Sequence, residues 1–412
     1  MCGIFAVIND KKNNASQTVL EGLKKLEYRG YDSWGIAVKT KNKLVVEKHI
    51  GKIGNAKTFL PLSNIGIGHT RWATHGGVFD KNAHPHLDCN NRFAVIHNGI
   101  IENYLEIKEK LIKKNHKFLS ETDTEIIAHL IEEELKNKDY SIDDLIKKVF
   151  KSFKKLTGSN AVGILDAKTE TIIACRNGSP LVVGIDKKNN QYFLSSDIPA
   201  LLKHTKNVYF LNDNEAVVLN KNFFQVYDLI KEIPKKISFE KITLKSSSAE
   251  KEGYPHFLIK EIDEQKKTIL KTAEKNIFLV EKSLKYFKKS EKIIFIGCGT
   301  AYHCALLAKY FFTKNGFESD AYQANEFSIF SNLINKKTLI VAISQSGETA
   351  DTLLAVKSAK NKGAKIISII NNRGSTLERL SDFFIPIYTG PEISVVSTKD
   401  FTSQFIISYL LA

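Results

Sequence analysis

The sequence predicts two successive domains, a layered α+β sandwich over residues 2–238 and a doubly wound parallel-sheet α/β domain over residues 256–412. Two observations predict this division. Short β-prone stretches mix with helical periods in the first part, whereas strand–loop–helix units repeat in the second. Residues 239–255 join the two and include the polar, Ser/Lys-rich stretch KITLKSSSAEKEGY, which is typical of a linker. At 412 residues and 43% hydrophobic, the chain is long enough to bury a large core in each domain.

The elements of the first domain follow from the spacing of apolar residues. Helical periods occur at 17–27, 103–115 and 122–136, and Thr122 or Asp123 is the candidate N-cap of the last helix. The strand-like stretches are LVVEKHI, FAVIHNGI, AVGILDA, TIIACR, QYFLSS and EAVVLN. Many strands flanked by helices favour stacked layers of both.

The second domain shows apolar strands that end in polar loops. KIIFIG (292–297) leads through GCGT into a helix at 301–313, and TLIVAIS (338–344) leads through QSGET into a helix at 349–361. KIISII (365–370) begins a third unit, so a parallel sheet is expected. The last residues, FTSQFIISYLLA, form a helical pattern without a cap, which predicts that the chain is a fragment of a longer protein.

Composition argues against several classes of function. The net charge of +15 invites a nucleic-acid hypothesis, but the lysines are scattered over polar faces and no basic arm appears, so no nucleic-acid partner is predicted. No apolar run is long enough to span a bilayer, and the first ten residues lack the basic start of a signal peptide. The five cysteines include no CxxC pair, which favours reduced thiols in a cytoplasm and argues against a zinc cluster.

Position 2 is a cysteine, and the single methionine of the chain precedes it. Removal of Met1 would leave one residue with both a thiol and a free α-amine. The thiolate is a nucleophile, and an α-amino group, with a pKa of about 7.7–8.0, can act as its base. The alternative is a buried cysteine that begins an edge strand, because CGIFAVI is apolar and β-prone.

Four further motifs favour the nucleophile. They are EYRGYDS (27–33), HTRWATHG (69–76), HNGI (97–100) and ETDTE (121–125). Together with the cysteine start they resemble, in order and spacing, the glutaminase domain of class II amidotransferases over residues 2–238. The resemblance implies an N-terminal-nucleophile (Ntn) fold of four layers, αββα, with Cys2 as the nucleophile.

The resemblance also implies roles for residues around Cys2. Attack on the glutamine side-chain amide creates an oxyanion, and the Asn98 side chain and the Gly99 backbone N–H would stabilise it. Without the other motifs, Asn-Gly would be interpreted as a hairpin turn. Five histidines fall between residues 69 and 97, but no carboxylate or thiolate lies at ligand spacing around them, so no metal is predicted.

Glutamine is a zwitterion, and the resemblance assigns a group to each of its charges. Arg71 would bind the α-carboxylate through its guanidinium fork, and Asp123 would pair with the α-ammonium. Trp72 would help to gate ammonia, and Thr74 and His75 would complete the glutamine site. From the residues alone, Arg71 would be a surface ion pair, Asp123 a helix cap and Trp72 part of the core.

The second domain resembles the sugar isomerase (SIS) domain, which binds phosphosugars. SQSGET (344–349) places hydroxyls and backbone amides at a helix start, where phosphate is bound well. STKDFTSQ (397–404) and YPHFLIKEIDEQ (254–265) extend the match. The implied sugar-phosphate residues are Thr300, Ser344, Gln345, Ser346, Thr349, Val395 through its backbone, and Lys399. Two positions depart from the pattern: Ala301 stands where serine is common, and Val396 replaces a smaller residue.

An Ntn glutaminase followed by SIS domains is the architecture of the glutamine–fructose-6-phosphate aminotransferase family, also called glucosamine-6-phosphate synthases. Membership implies glutamine and fructose 6-phosphate as substrates, no cofactor, a homodimer or higher oligomer, and a cytoplasmic location. Family members carry a second SIS domain that this chain lacks, so only the glutaminase half is expected to work. The alternatives are an amidotransferase that acts on phosphoribosyl pyrophosphate, and a phosphosugar-binding regulator with a vestigial glutaminase.

Overall fold

The computed structural model describes residues 2–9, 14–41, 43–136, 139–242 and 251–412. The chain divides into two compact units, Met1–Ser246 and Ser247–Ala412. Met1 and residues 243–250 of the predicted linker lie outside the described residues. No helix in the described ranges is both long enough and apolar enough to cross a membrane.

Two antiparallel sheets form the centre of the first unit, with strands numbered along the chain. Over the described residues, the eight-stranded sheet has the spatial order β15 (Glu240–Lys241), β11 (Asn207–Phe210), β9 (Val182–Asp186), β10 (Gln191–Ser195), β1 (Gly3–Asn9), β4 (Ile65–Arg71), β2 (Ser33–Lys39) and β3 (Leu44–Ile50). The seven-stranded sheet has the order β14 (Ile233–Lys235), β13 (Phe223–Asp228), β12 (Glu215–Asn220), β8 (Thr171–Asn177), β7 (Asn160–Asp166), β6 (Phe93–Gly99) and β5 (His86–Leu87). β15 thus lies inside the segment predicted as linker.

Helices cover the outer faces of both sheets. They are α1 (Ala15–Lys24), α2 (Tyr104–Ile112), α3 (Glu125–Glu134) and α4 (Ile142–Phe153). Successive side chains of a strand point to opposite faces, so Ile4 packs into the core between the sheets and Phe5 packs against α1. The far face of the other sheet buries Val95 against α3 and α4. The layers are therefore αββα, as the family resemblance implies.

The start of α3 differs from its prediction. α3 begins at Glu125, and Thr124 at the N-cap position makes no side-chain capping bond. Asp123 instead accepts a hydrogen bond from the Ile101 N–H at 2.8 Å, and the Thr122 hydroxyl lies 3.0 Å from His86 Nε2. The prediction that Thr122 or Asp123 caps this helix is wrong, because both side chains bind neighbouring segments.

The second unit has one parallel sheet. Its strands, in spatial order over the described residues, are β17 (Ser319–Gln323), β16 (Lys292–Gly297), β18 (Thr338–Ser344), β19 (Lys365–Ile370) and β20 (Phe383–Pro386). The helices are α5 (Phe257–Lys288), α6 (Thr300–Lys314), α7 (Ala350–Asn361), α8 (Thr376–Leu380) and α9 (Lys399–Leu411). The sequence analysis did not predict α5.

Both faces of this sheet are covered. Phe295 and Ile343 pack on one face with Ile407 of α9, and Ile340 packs on the other with Val356 of α7. Helices on both faces of a parallel sheet make a doubly wound domain. The predicted fold class of the second half is confirmed.

Gly3 is expected to be essential for the packing of β1. A Cβ at Gly3 would lie 2.5 Å from Thr70 Oγ1 and 2.8 Å from Leu26 Cβ. We expect Gly3→Ala to destabilise the first unit by about 1–3 kcal/mol, the usual cost of overpacking. Both tryptophans of the chain, Trp34 and Trp72, lie in this unit, so urea unfolding followed by tryptophan fluorescence measures the loss.

Gly66→Ala is the matched control on the neighbouring strand. Its Cβ would meet Val38 Cγ1 at 3.2 Å, a contact that a small shift relieves. An equal loss of stability in both variants would contradict the tight packing at Gly3.

Candidate active site

Cys2 comes directly before the first residue of β1, and its side chain lies next to Trp72, the residue that follows β4. The Trp72 N–H donates to Cys2 Sγ at 3.2 Å. Burial raises the pKa of the Cys2 thiol, and the hydrogen bond from Trp72 opposes that shift. Because burial dominates, the surroundings do not ionise the thiol, and a base is needed to make the thiolate nucleophile.

The backbone carbonyl of Cys2 is held by two side chains. Asn98 Nδ2 donates to it at 2.9 Å and Arg29 Nε at 3.1 Å. Arg29 also forms a buried ion pair with Asp197 at 2.9 Å. Arg29 lies in the motif EYRGYDS, but the sequence assigned no role to it or to Asp197. The pair could not be recognised from one motif, because Asp197 is 168 residues further along the chain.

The orientation of Asn98 is fixed by His69. His69 Nε2 lies 3.0 Å from Asn98 Oδ1 and 2.9 Å from the His97 carbonyl oxygen. Both neighbours are acceptors, so Nε2 carries the proton and donates. The Asn98 oxygen therefore faces His69, and its Nδ2 faces Cys2, as an oxyanion donor must.

Gly99 follows Asn98 with a backbone conformation that requires glycine. Its φ is +141°, and a Cβ would lie 1.9 Å from the Ser159 carbonyl oxygen. No side chain fits there. The Asn98–Gly99 pair belongs to strand β6 rather than to a two-residue hairpin turn.

Arg71 ends β4 and holds the loop that follows. Its guanidinium donates to the carbonyl oxygens of residues 75–77, at 3.1 Å for the last two. Asp32 accepts from the Ala73 N–H at 2.8 Å. Burial lowers the pKa of Arg71, and the charges of Cys2 and Asp123 oppose that shift. Arg71 is thus a buried positive charge within reach of both groups.

The other residues that the family resemblance assigns to glutamine differ in exposure. Asp123 is buried beside β6 through its bond to Ile101. Trp72 is 38% exposed, with its ring centroid 5.5 Å from that of Tyr31. Thr74 is exposed on the loop, and the half-buried His75 packs edge-on against Tyr104 at 5.5 Å.

The second candidate site lies at the carboxyl ends of β16 and β18, which are neighbours in the parallel sheet. The chain leaves β16 to form β17 on one side and then crosses to β18 on the other. Ligands of doubly wound sheets bind at such a switch point. The loops GCGT and SQSGET both begin there, and the exposed Thr300 opens α6.

The SQSGET loop is shaped by its own hydroxyls. Ser344 Oγ accepts from the Gly347 N–H at 3.0 Å and lies 3.4 Å from Thr349 Oγ1. Ser346 Oγ accepts from the Glu348 N–H at 3.1 Å. Next to them, the Gln345 carbonyl oxygen accepts from the Asn371 N–H at 3.1 Å. These bonds form a compact turn just before α7.

Carboxylates that the sequence analysis missed hold the segment around Val395. Glu261 of α5 accepts from the Ile393 N–H at 2.6 Å, and Glu392 accepts from the Thr398 N–H at 2.8 Å. Val395 itself is 76% exposed. Glu261 lies in the KEIDEQ stretch, which belongs to a motif of the family resemblance. Its role could not be predicted from that motif, because its partner Ile393 lies 132 residues away.

Lys399 is buried and paired rather than free. Its Nζ lies 2.6 Å from Glu264 Oε2, and its side chain is 3% exposed. Lys399 therefore ties α9 to α5 at the end of the segment that carries Val395.

Acid is expected to destabilise the first unit through His69. Burial lowers the pKa of His69 to about 3, whereas an unfolded histidine has a pKa of about 6.5. The unfolded state therefore binds this proton first, and the free energy of unfolding falls as the pH drops below about 6.5 towards the folded value. Between about pH 7 and pH 5 we expect a loss of about 2 kcal/mol from His69 alone.

His69→Gln keeps an N–H donor but does not titrate, so it should reduce this acid-dependent loss. Urea unfolding followed by tryptophan fluorescence at both pH values provides the measurement. An equal loss in wild type and variant would show that His69 is not held neutral.

Comparisons with known proteins show which family the chain belongs to. A glutamine amidotransferase domain model matches residues 69–203 and a SIS domain model matches residues 286–412. The glutamine–fructose-6-phosphate aminotransferase [isomerizing] of Clostridium tetani is 42% identical over 100% of this chain and 68% of its own length. The enzyme of the same name from Pyrococcus horikoshii is 43% identical over 100% of this chain and 69% of its own.

Among solved structures, a glutamine phosphoribosylpyrophosphate amidotransferase from B. subtilis is 16% identical with a TM-score of 0.48, covering 94% of this chain and 91% of that one. At that identity and score the likeness carries nothing about substrate. The relatives that align over the whole chain confirm the family predicted from the motifs: the chain belongs to the glutamine–fructose-6-phosphate aminotransferase family.

Proposed function

We propose that this chain hydrolyses glutamine at Cys2 and holds fructose 6-phosphate in its second unit, as part of an enzyme that makes glucosamine 6-phosphate. The observation that carries the proposal is the position of Asn98. Its Nδ2 donates to the backbone of Cys2 at 2.9 Å, with its orientation set by His69. An amide donor fixed next to a nucleophile is the arrangement that acyl transfer needs.

The first step is attack on the substrate amide. Once Met1 is removed, the α-amine of Cys2 takes the thiol proton, and the sulfur forms a bond to the side-chain carbon of glutamine. The negative charge that develops on the carbonyl oxygen is stabilised by Asn98 Nδ2 and the Gly99 N–H. The amide nitrogen accepts the proton from the α-amine and leaves as ammonia. A γ-glutamyl thioester remains, and water hydrolyses it to glutamate and free Cys2.

Recognition of glutamine rests on two buried charges. A guanidinium has five N–H donors, so the bonds from Arg71 to the loop carbonyls leave donors for the α-carboxylate. Asp123 supplies the negative charge for the α-ammonium. Thr74 and His75, on the loop that Arg71 holds, complete the site, and the partly exposed Trp72 gates the release of ammonia.

The second unit is proposed to bind the sugar phosphate at the switch point of its sheet. The phosphate accepts hydrogen bonds from the hydroxyls of SQSGET and the backbone amides at the start of α7. The proposed contacts are Thr300, Ser344, Gln345, Ser346, Thr349 and the Val395 backbone. Lys399, which the resemblance also assigns to this site, would act by holding the Val395 segment through its pair with Glu264. Ammonia would form an imine at C2 of the sugar, and the resemblance assigns the later isomerisation to a second SIS domain.

Assembly and cellular place are proposed from the family resemblance. It suggests a homodimer or higher oligomer in the cytoplasm. The five cysteines are free thiols in the structure, which fits a reducing compartment. The resemblance implies no cofactor for this chemistry. A phosphosugar-binding regulator with a vestigial glutaminase is the competing function.

Cys2→Ala is expected to abolish the release of glutamate from glutamine, because the nucleophile is lost. Intact mass should show that Met1 is absent from the active wild type. Cys298→Ala, in the second unit, is the control and should keep glutaminase activity. Retained Met1 with no turnover in the wild type would favour the regulator.

Ser346→Ala is expected to weaken the binding of fructose 6-phosphate about 10–100-fold, since one hydrogen bond to a charged group contributes about 1.5–3 kcal/mol. Isothermal titration calorimetry measures the affinity. Ser290→Ala, at the end of α5, should bind as the wild type does, and glutaminase activity should be unchanged in both. Equal affinity in all three proteins would exclude a phosphate contact at Ser346.

A further inference from the structure

Four side chains with metal-ligand chemistry meet in the first unit. Cys89 lies in the turn after β5, His116 in the loop between α2 and α3, and His129 and Glu132 on α3. One ligand atom from each lies within 4.8 Å of all the others. Three separate segments of the chain therefore converge on one point.

The distances between these atoms fit a tetrahedron. Cys89 Sγ is 3.6 Å from His129 Nδ1 and 4.0 Å from His116 Nδ1. Glu132 Oε2 is 3.3 Å and 3.1 Å from the same two nitrogens. Ligands bound at about 2.0–2.3 Å around a tetrahedral zinc ion are roughly 3.3–3.8 Å apart. These four distances are thus within a few tenths of an ångström of the tetrahedral range, and all the ligand atoms lie within 4.8 Å of one another.

The outer nitrogen of each histidine ring lies near a second carboxylate. His116 Nε2 lies 3.4 Å from Glu133 Oε2, and His129 Nε2 lies 3.6 Å from Glu125 Oε1. A proton on Nε2 of each ring therefore faces a carboxylate, and Nδ1 is left to bind a metal. Outer carboxylates that fix the ligand nitrogen in this way are the usual partners of zinc-bound histidine.

The two remaining ligands are also oriented. Glu132 Oε1 is bound by Asn90 and lies 3.9 Å from an Arg92 nitrogen, so Oε2 is the oxygen directed at the cluster. The Lys117 N–H points to Cys89 Sγ at 3.4 Å, and binding of zinc would release the proton of this thiol. Cys89 is exposed and gives an ion a path of entry.

We propose that Cys89, His116, His129 and Glu132 bind one zinc ion. Thiolate and imidazole ligands in a tetrahedral set select zinc over magnesium or calcium. One thiolate and one carboxylate also balance the charge of the ion. The alternative without a metal is an ion pair of a protonated His129 with Glu125 and Glu132. That alternative does not explain why Cys89 and His116 also direct ligand atoms to the same point.

The ion would act on the structure of the glutamine site. Glu125, which faces His129, also accepts from the backbone N–H groups of Leu119 and Ser120 at 2.7 Å each. These residues shortly precede Asp123. Zinc would therefore join α3, the loop before it and the turn after β5, and would hold the segment that carries Asp123. The sequence predicts no metal because the ligands are spread over 44 residues without a CxxC pair.

The test is metal binding by the full chain after treatment with a chelator. Titration with Co²⁺, which substitutes for zinc, should give about one equivalent with the strong visible absorption of a tetrahedral site and a thiolate charge-transfer band. Cys89→Ser should lose the charge-transfer band. Cys298→Ser and Cys2→Ala should keep it, which excludes the other accessible thiols as ligands.

A pair of neighbouring variants separates metal binding from an ion-pair network. Glu133→Gln should weaken zinc affinity about 10–100-fold, as loss of an outer-shell partner does. Glu134→Gln is the matched control, because Glu134 pairs with Lys151 and Lys155 instead of a histidine. Circular dichroism verifies that each variant is folded. No uptake of metal by the wild type, or a cobalt spectrum unchanged in Cys89→Ser, would overturn the proposal.

Discussion

Double-sided pairing of β1 is the constraint on which the first site depends. A chain terminus normally frays, whereas a nucleophile must be held in place. β1 lies inside its sheet with β10 on one side and β4 on the other, and Ser196 Oγ accepts from the Ile4 N–H at 3.0 Å. The register of β1 with β4 places Gly3 opposite Thr70. Residues 71–77, which follow Thr70, therefore lie next to Cys2. A shift of the β1–β4 register by one residue would turn the side chains of one strand to the opposite face of the sheet.

Burial then determines the electrostatics around Cys2. Burial lowers the pKa of His69, and it lowers the pKa of His84 and His86 well below the usual range. Neutral imidazoles serve as fixed donors and acceptors without adding charge. Of these three histidines, His69 orients Asn98, and a donor fixed in advance needs little reorganisation when an oxyanion forms.

Periodicity predicted β3, β6, β7, β8, β10 and β12 of the first unit and β16, β18 and β19 of the second, and it missed the other strands apart from the β-prone start at β1. For β4 the reason is local. Gly66 and Gly68 interrupt the apolar alternation of IGIGHTR, and a Cβ at Gly68 would lie 2.5 Å from Val19 Cγ1 of α1. The glycines are there because a helix packs closely on the strand. The helix α5 was missed for a related reason, since it buries polar groups such as Asn276, whose Nδ2 donates to the Pro386 carbonyl oxygen at 2.7 Å.

The residues of the candidate site also fall into two groups, those that the sequence predicted and those that it did not. Motifs predicted the residues assigned to touch substrate, because these occur in short, recognisable runs. The residues that position them, such as His69, Asp32 and Glu261, act on partners 29 to 132 residues away. No pattern within one segment can show such a pair, so the fold was needed to find it.

Arg71 links the two kinds of role, and its contacts constrain how glutamine can enter. The guanidinium is already bonded to the carbonyls of residues 75–77, and Asp32 holds the same loop through Ala73. A carboxylate forms stronger, charge-assisted bonds with a guanidinium than a neutral carbonyl does. In the proposed binding mode, the α-carboxylate of glutamine and the loop carbonyls would therefore share the donors of Arg71, while Asp32 holds the loop independently. A ligand shifts a conformation only by its differential affinity, so the loop should respond to glutamine through Arg71 and remain anchored at Asp32. In this proposal one side chain, Arg71, both binds the substrate and holds the loop.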